Sequence, residues 1–156
     1  VYESAEAAYN YLVNNEKIDP ADIVIFGISI GTGPSSYLAE KYPVGGLILQ
    51  TPLKSILHVG LGRSFLAPIV PFMRPYDMFC NIHKVSNIKA PTLIIHGDRD
   101  SIVPYSHGKE IYENAKNKFK FITVPGADHN DIFDYYSILD FKEDIKEVFK
   151  ATNLNE

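Results

Sequence analysis

The stretch IVIFGISIG at residues 23–31 predicts a short buried strand that ends in a sharp turn carrying Ser29. Its first four residues are apolar, and its last five have the pattern G-x-S-x-G. In this pattern the serine sits on a strained strand-to-helix turn, and small residues beside it keep the neighbouring backbone from clashing. The serine oxygen then projects above the sheet, where the N–H groups that open the next helix favour developing negative charge. The stretch therefore indicates a nucleophile elbow.

On both sides of this stretch, strand and helix signals alternate, which favours βαβ units and a parallel sheet. The predicted strands are 23–26, 44–50, 92–96 and 120–124, and the predicted helices are 2–14, 32–41, 105–117 and 132–150. Short, continuous apolar strands are typical of a sheet that is covered on both faces. The sequence thus predicts an α/β fold with a mostly parallel sheet, helices on both faces, and a single domain over 1–156.

Residues 52–88 break this alternation, because they combine several prolines with scattered apolar residues that show no periodicity. One interpretation is a short lid-like insertion over a functional site. The alternative is a loop and a short helix packed on the sheet, and the sequence favours neither of the two.

Composition excludes several classes of function. The chain has 156 residues, 46% hydrophobic content and a formal net charge of -4, so no nucleic-acid partner is expected. Cys80 is the single cysteine, which excludes an intrachain disulfide and mildly favours a reducing compartment such as the cytoplasm. No stretch is long and apolar enough to span a bilayer. The chain opens within a predicted helix and without an initiator methionine, so we expect a preceding segment, and membrane association only through such a segment.

A serine nucleophile needs a base within hydrogen-bond reach and a carboxylate that orients the base. His129, in the stretch PGADHND at 125–131, follows the last predicted strand and is the candidate base. The stretch HGDRDSIVP at 96–104 offers two candidate acids, Asp98 near the strand end and Asp100 on the turn. Their positions in the sequence do not show which of the two is the acid.

The remaining histidines are interpreted as structural. His96 ends a buried strand, His107 opens a helix where capping or packing is expected, and His58 and His83 lie in the segment 52–88. No pair of them has a metal-ligand spacing, so no metal is expected. The stretch GTGPSS at 31–36 begins like a dinucleotide-binding motif but lacks the third glycine, so no cofactor is expected either.

Four stretches carry a resemblance to a known family: GISIGTGP at 27–34, IIHG at 94–97 with Asp100, SHG at 106–108, and GADHND at 126–131. Together they resemble the α/β-hydrolase superfamily, and more narrowly its intracellular α/β-hydrolase-domain branch, which includes protein depalmitoylases. The resemblance covers nearly the whole chain but only the C-terminal part of that fold. It implies Ser29 as nucleophile, Asp100 as acid and His129 as base.

The resemblance also implies acyl transfer through an acyl-enzyme, with the backbone N–H of Ile30 as one donor of the oxyanion hole. The second donor comes, in this fold, from a loop after an earlier strand that is outside this chain. Loss of one such donor typically lowers kcat by about 10²–10³-fold, so the isolated chain is expected to be weak or inactive, with an open edge on the elbow strand.

The leading expectation is a serine hydrolase that acts on acyl esters or thioesters. Its substrate would be a small molecule or a lipidated protein, and the apolar residues of 52–88 favour an apolar acyl chain. A prolyl-oligopeptidase-like serine peptidase shares the same triad. A non-catalytic α/β-hydrolase-fold protein that binds a ligand or partner is the second class, and the presence of all three triad residues argues against it.

Overall fold

The computed structural model describes residues 1–55 and 79–153. Within them, four parallel strands form one sheet in the sequential order β1-β2-β3-β4. The strands are β1 (Val24–Ile28), β2 (Gly46–Gln50), β3 (Thr92–Gly97) and β4 (Lys118–Val124). The helices are α1 (Tyr2–Asn14), α2 (Thr32–Lys41), α3 (Asn81–Lys84), α4 (Tyr105–Asn114), α5 (Ile132–Tyr135) and α6 (Ile138–Asn153). The predicted fold class is confirmed.

Both faces of the sheet are covered by helices. Leu47 and Leu49 of β2 belong to one apolar cluster, which includes side chains from α1, α2 and α4. Ile48, between them, belongs to a second cluster on the other face, with side chains from α5 and α6. Alternate side chains of a strand point to opposite faces, so a fully apolar strand such as β2 is stable only between two helical layers.

The register of the strands places their carboxyl ends together. Ile28 of β1 pairs with Gln50 of β2, and Gly97 of β3 pairs with Val124 of β4. Because all strands are parallel, the segments that leave β1, β3 and β4 emerge at one edge of the sheet. These are the segments that carry the predicted nucleophile, acid and base.

The prediction of one continuous helix over 132–150 is wrong. The structure has two helices there, α5 and α6, separated by Tyr136 and Ser137. The Ser137 hydroxyl accepts a hydrogen bond from the Leu139 backbone N–H, at 3.1 Å, at the start of α6. A serine in this position satisfies an N–H group that a helix start leaves without a partner, so it favours a new helix over continuation of the old one.

The described end of the segment 52–88 packs on the sheet. Residues 81–84 form the short helix α3, and Val85 and Ile88 after it are fully buried in the apolar cluster beneath α2. In this part of the segment, the short helix packs against α2 and α4, and the choice between the two interpretations stays a prediction. The proposed lid falls mainly on residues 56–78, which lie outside the described residues.

Substitution of Gly97 by alanine is expected to destabilise the protein. A Cβ atom at Gly97 would overlap the backbone carbonyl of Ala127, which precedes His129 by two residues. Backbone atoms cannot rotate away, so Gly97→Ala should lower the free energy of unfolding by about 1–3 kcal/mol, as overpacking does. Urea denaturation measures this change. Gly31→Ala is the matched control, because a Cβ there meets no described atom within 4 Å; equal stability of the two variants would contradict the prediction.

Candidate active site

Ser29 lies on the strained turn that the sequence predicts. Its φ angle is 51°, in the left-handed region that disfavours residues with a side chain. The turn is possible partly because Gly27 has no side chain: a Cβ there would lie 2.5 Å from the Ser35 hydroxyl oxygen. Gly31, by contrast, has open space around its Cβ position among the described residues, so the steric requirement falls on Gly27.

Asn81 connects this turn to the helix α3. Its amide Nδ2 donates to the Thr32 hydroxyl at 2.9 Å and to the Leu53 carbonyl at 2.8 Å. The Thr32 hydroxyl in turn donates to the Ser29 carbonyl at 2.6 Å. Asn81 is buried, so this chain of hydrogen bonds holds the strained turn from the inside of the protein. Asn81 could not be predicted as part of the site, since an asparagine in an aperiodic segment carries no signal of such a contact.

His129 connects Ser29 with Asp100. Its Nε2 atom lies 2.9 Å from the Ser29 Oγ atom, and its Nδ1 atom lies 2.8 Å from Oδ2 of Asp100. The imidazole is almost completely buried, which shields both hydrogen bonds from water. The structure thus brings together the three side chains that the sequence proposed, in the arrangement of a nucleophile, a base and an orienting carboxylate. Their catalytic roles remain a prediction.

The Asp100 carboxylate is held in its ionised form. Burial raises its pKa, but hydrogen bonds from His96, from the backbone of Val103, from His129 and from the backbone of Ile102 outweigh burial and lower the pKa from 3.8 to about 2. The two backbone N–H groups bind Oδ1, at 2.7 Å from Val103 and 2.9 Å from Ile102. Oδ2 therefore remains directed at the imidazoles.

Asp98, the rival acid, has a different partner. Its Oδ1 atom accepts a hydrogen bond from the backbone N–H of Gly126 at 2.7 Å. Gly126 has a φ angle of 82°, so the residue is a turn glycine that the carboxylate holds in place. The geometry favours Asp100 as the acid and gives Asp98 a structural contact.

The loops that carry the acid and the base are linked along their whole length. Besides the contacts of Asp98 and Asp100, the backbone N–H of Arg99 donates to the Ala127 carbonyl at 3.1 Å. Asp128 accepts from the backbone N–H of Ser101 and from that of His129, both at 2.7 Å, and these hydrogen bonds lower its pKa. Residues 98–101 therefore each contact one residue of 126–129, and the acid and base are positioned as one unit.

The other histidines differ in their surroundings. His83 is exposed on α3, and His107 is buried at the start of α4, where its Nδ1 atom faces the Lys54 backbone N–H at 3.5 Å. His58 lies outside the described residues. His96, which the sequence suggests is structural, is fully buried, and its Nε2 atom lies 3.2 Å from Oδ2 of Asp100. The sequence feature that could have indicated this contact is a polar residue within a buried strand, four residues before the acid.

Metal binding and membrane insertion find no support in residues 1–55 and 79–153. Within these ranges, no group of three or more His, Cys, Asp or Glu side chains could hold a metal ion. In the same part of the chain, each helix is too short or too polar to cross a lipid bilayer.

The stability of the protein is expected to depend on Asp100 at acid pH. Since the pKa in the folded state, about 2, is below the ordinary 3.8, ionised Asp100 stabilises the fold above pH 3.8, and this contribution is lost as the pH falls towards 2. Its magnitude is roughly 2 kcal/mol. We expect the difference in unfolding free energy between wild type and Asp100→Asn to shrink by that amount between pH 6 and pH 2. Denaturation at several pH values measures it, and a constant difference would contradict the prediction.

Known proteins resemble this chain in sequence. The family model of the prolyl oligopeptidase family matches residues 73–151. The human alpha/beta hydrolase domain-containing protein 17B is 36% identical over 140 residues, which are 90% of this chain and 46% of that protein. The mouse alpha/beta hydrolase domain-containing protein 17C is 34% identical over 140 residues, 90% of this chain and 42% of that protein. The chain spans about half the length of the curated relatives it matches.

Solved structures show the same fold. The Pyrococcus furiosus esterase Pf2001 superimposes with a TM-score of 0.72 at 19% identity, covering 96% of this chain and 61% of that one. A Paleococcus ferrophilus monoacylglycerol lipase gives a TM-score of 0.68 at 18% identity, covering 97% of this chain and 76% of that one. The architecture and the matches define a member of the α/β-hydrolase superfamily, present as part of its fold. Within that superfamily, the chain belongs to the prolyl oligopeptidase family, whose model matches residues 73–151.

Proposed function

We propose that the protein is a serine hydrolase that cleaves acyl esters or thioesters through an acyl-enzyme on Ser29. The observation that carries this proposal is the continuous hydrogen-bonded path from Asp100 through His129 to the Ser29 hydroxyl, at 2.8 Å and 2.9 Å. A serine hydroxyl becomes a useful nucleophile when a base can take its proton during attack.

The geometry supports a two-step reaction. In the first step, Ser29 Oγ attacks the acyl carbon while Nε2 of His129 takes the hydroxyl proton, and Asp100 stabilises the resulting imidazolium through Nδ1. The tetrahedral intermediate then expels the alcohol or thiol, which receives the proton from Nε2. In the second step, water attacks the acyl-enzyme with the same proton transfers, and the acid is released.

The oxyanion of each tetrahedral intermediate needs hydrogen-bond donors. The backbone N–H of Ile30 is the proposed donor, since Ile30 follows the nucleophile in the short helical turn Ser29–Gly31. A donor in this place stabilises charge that develops only in the transition state.

An apolar acyl group is the proposed substrate feature. The residues on either side of the nucleophile, Ile28 and Ile30, leave 47% and 56% of their surface exposed. Phe133, in the helix that follows the His129 loop, is also exposed. Exposed apolar side chains on the segments that carry the nucleophile and follow the base favour an apolar chain over a charged substrate. A protein-linked fatty acyl thioester, as in depalmitoylation, is the finer proposal within this class.

A serine peptidase activity is the second candidate. It is favoured by the match of residues 73–151 to the prolyl oligopeptidase family. The same three residues would then act on a peptide bond, with His129 protonating an amine instead of an alcohol or thiol.

A fluorophosphonate probe, which forms a covalent bond with activated serines, tests the proposal. We expect one labelled site on the protein, at Ser29. A substrate panel then separates the candidates: p-nitrophenyl esters of increasing chain length, acyl-thioester peptides, and peptides with a chromogenic amide. Faster cleavage of the longer esters and of the thioesters supports the proposal. Cleavage of the amides alone favours the peptidase. Absence of labelling in a form of the protein that also supplies the second oxyanion donor would favour a non-catalytic binding protein.

A further inference from the structure

His96 is a second imidazole at the candidate active site, and the proposed chemistry does not use it. It lies near the end of β3, four residues before Asp100, and its side chain is fully buried. We infer that His96 is a positioning residue, which holds the Asp100 carboxylate in the orientation that directs Oδ2 at His129. The inference rests on the proposed function, because it assigns Asp100 as the acid of the triad.

The contacts of His96 define its protonation. Nε2 lies 3.1 Å from the Val103 carbonyl oxygen and 3.2 Å from Oδ2 of Asp100. Both of these atoms are acceptors, so Nε2 carries a proton; its N–H group donates to the Val103 carbonyl, and Oδ2 of Asp100 lies beside the same N–H group. Nδ1 is buried and has no hydrogen-bond partner within the described residues. An imidazole with its proton on Nε2 fits these contacts, and its N–H group lies beside the acid.

This N–H group completes the environment of Asp100. The N–H groups of Ile102 and Val103 bind Oδ1, whereas Oδ2 is shared by His129, at 2.8 Å, and His96. In the proposed reaction His129 gains and loses a proton in every cycle. The N–H group of His96 lies 3.2 Å from the same oxygen, and this contact does not depend on the state of His129.

The surroundings of His96 keep its ring in one place. On α4, Gly108 leaves room for the imidazole, since a Cβ atom there would overlap Nδ1. The Tyr105 ring meets the imidazole edge to face, with centroids 5.7 Å apart and an interplanar angle of 83°. The Tyr105 hydroxyl is itself hydrogen-bonded to the Thr123 hydroxyl of β4. A positioning residue has to be held by its own neighbours, and here helix α4 and strand β4 provide that support.

Two amide substitutions separate positioning from packing. In His96→Gln the side-chain N–H can reach the place of the imidazole Nε2, whereas in His96→Asn it ends near Nδ1 and faces Gly108. Both variants bury an amide of similar polarity. After kcat is normalised to the serines that react with a fluorophosphonate, we expect His96→Asn to lower kcat by about 10- to 100-fold with little change in KM, the effect of one lost polar contact with a charged group. His96→Gln should retain most of kcat. Equal loss in both variants, or no loss in His96→Asn, would overturn the inference.

A second measurement does not depend on turnover. The proton on Nδ1 of His129, in its hydrogen bond to Asp100, gives a downfield proton resonance, which its disappearance in His129→Gln assigns. We expect this resonance in the wild type and in His96→Gln, and an upfield shift or loss in His96→Asn. If the wild type does not react with fluorophosphonate, the proposed function fails while this resonance still tests His96. The same resonance in wild type and both His96 variants would contradict the inference.

Discussion

Ser29→Ala is expected to abolish covalent labelling by a fluorophosphonate and to lower kcat for ester hydrolysis by up to about 10⁶-fold, the loss typical when a triad nucleophile is removed. The hydroxyl is the group that His129 contacts at 2.9 Å, and within residues 1–55 and 79–153 no second hydroxyl is hydrogen-bonded to the same imidazole nitrogen. Labelling is measured on intact protein by mass spectrometry, and kcat is measured with the ester that the wild type cleaves fastest.

Ser86→Ala is the matched control for Ser29→Ala. Ser86 is exposed, and its hydroxyl donates to the His83 carbonyl at 2.8 Å, in a turn after α3. The same chemical change is made there without contact with the triad, so labelling and kcat should equal those of the wild type. Labelling that persists in Ser29→Ala would place the reactive serine elsewhere in the chain and contradict the elbow assignment.

Asp100→Asn is expected to lower kcat by about 10⁴-fold. The carboxylate now binds two backbone N–H groups through Oδ1, and an asparagine would keep its carbonyl oxygen at that place. Its amide N–H groups would then face Nδ1 of His129. Because Nδ1 could only accept such a hydrogen bond, the proton of the imidazole would move to Nε2, which could no longer take a proton from Ser29.

Asp98→Asn is the control that distinguishes the two candidate acids. An asparagine at this position can still accept the hydrogen bond from the Gly126 N–H through its carbonyl oxygen. We therefore expect kcat within a small factor of the wild type, measured with the same ester over the same pH range. A large loss in Asp98→Asn with little loss in Asp100→Asn would move the acid role to Asp98.

The sheet could be predicted from the sequence because its strands are continuous apolar runs. Each predicted strand overlaps an observed one, and the helices Tyr2–Asn14 and Thr32–Lys41 have the predicted bounds. The predicted boundaries are wrong where contacts between distant parts of the chain determine where an element ends. The first strand extends beyond the predicted end to include Gly27 and Ile28, which pair with Leu49 and Gln50 of the neighbouring strand.

The site was predictable only in part, for a similar reason. Ser29 and His129 follow from a motif and from their positions after strands, which are local features. The choice of Asp100 over Asp98 depends on which carboxylate meets an imidazole from another loop and which meets the Gly126 N–H. The contact of His96 with Asp100 requires both the strand direction and the turn after it. Such contacts join residues whose spacing follows no helix or strand periodicity, so no pattern in the sequence indicates them.

The paired loops 98–101 and 126–129 have a consequence for how this site can vary among related proteins. Each residue of the first loop bonds to a residue of the second, so a change in one loop alters the partners of the other. The effects of substitutions in the two loops should therefore be non-additive. Recombination that exchanges one loop alone would separate a carboxylate from the imidazole it orients, whereas exchange of both together would preserve the pair. The two loops are distant in sequence, but we expect that they can be exchanged between related proteins only together.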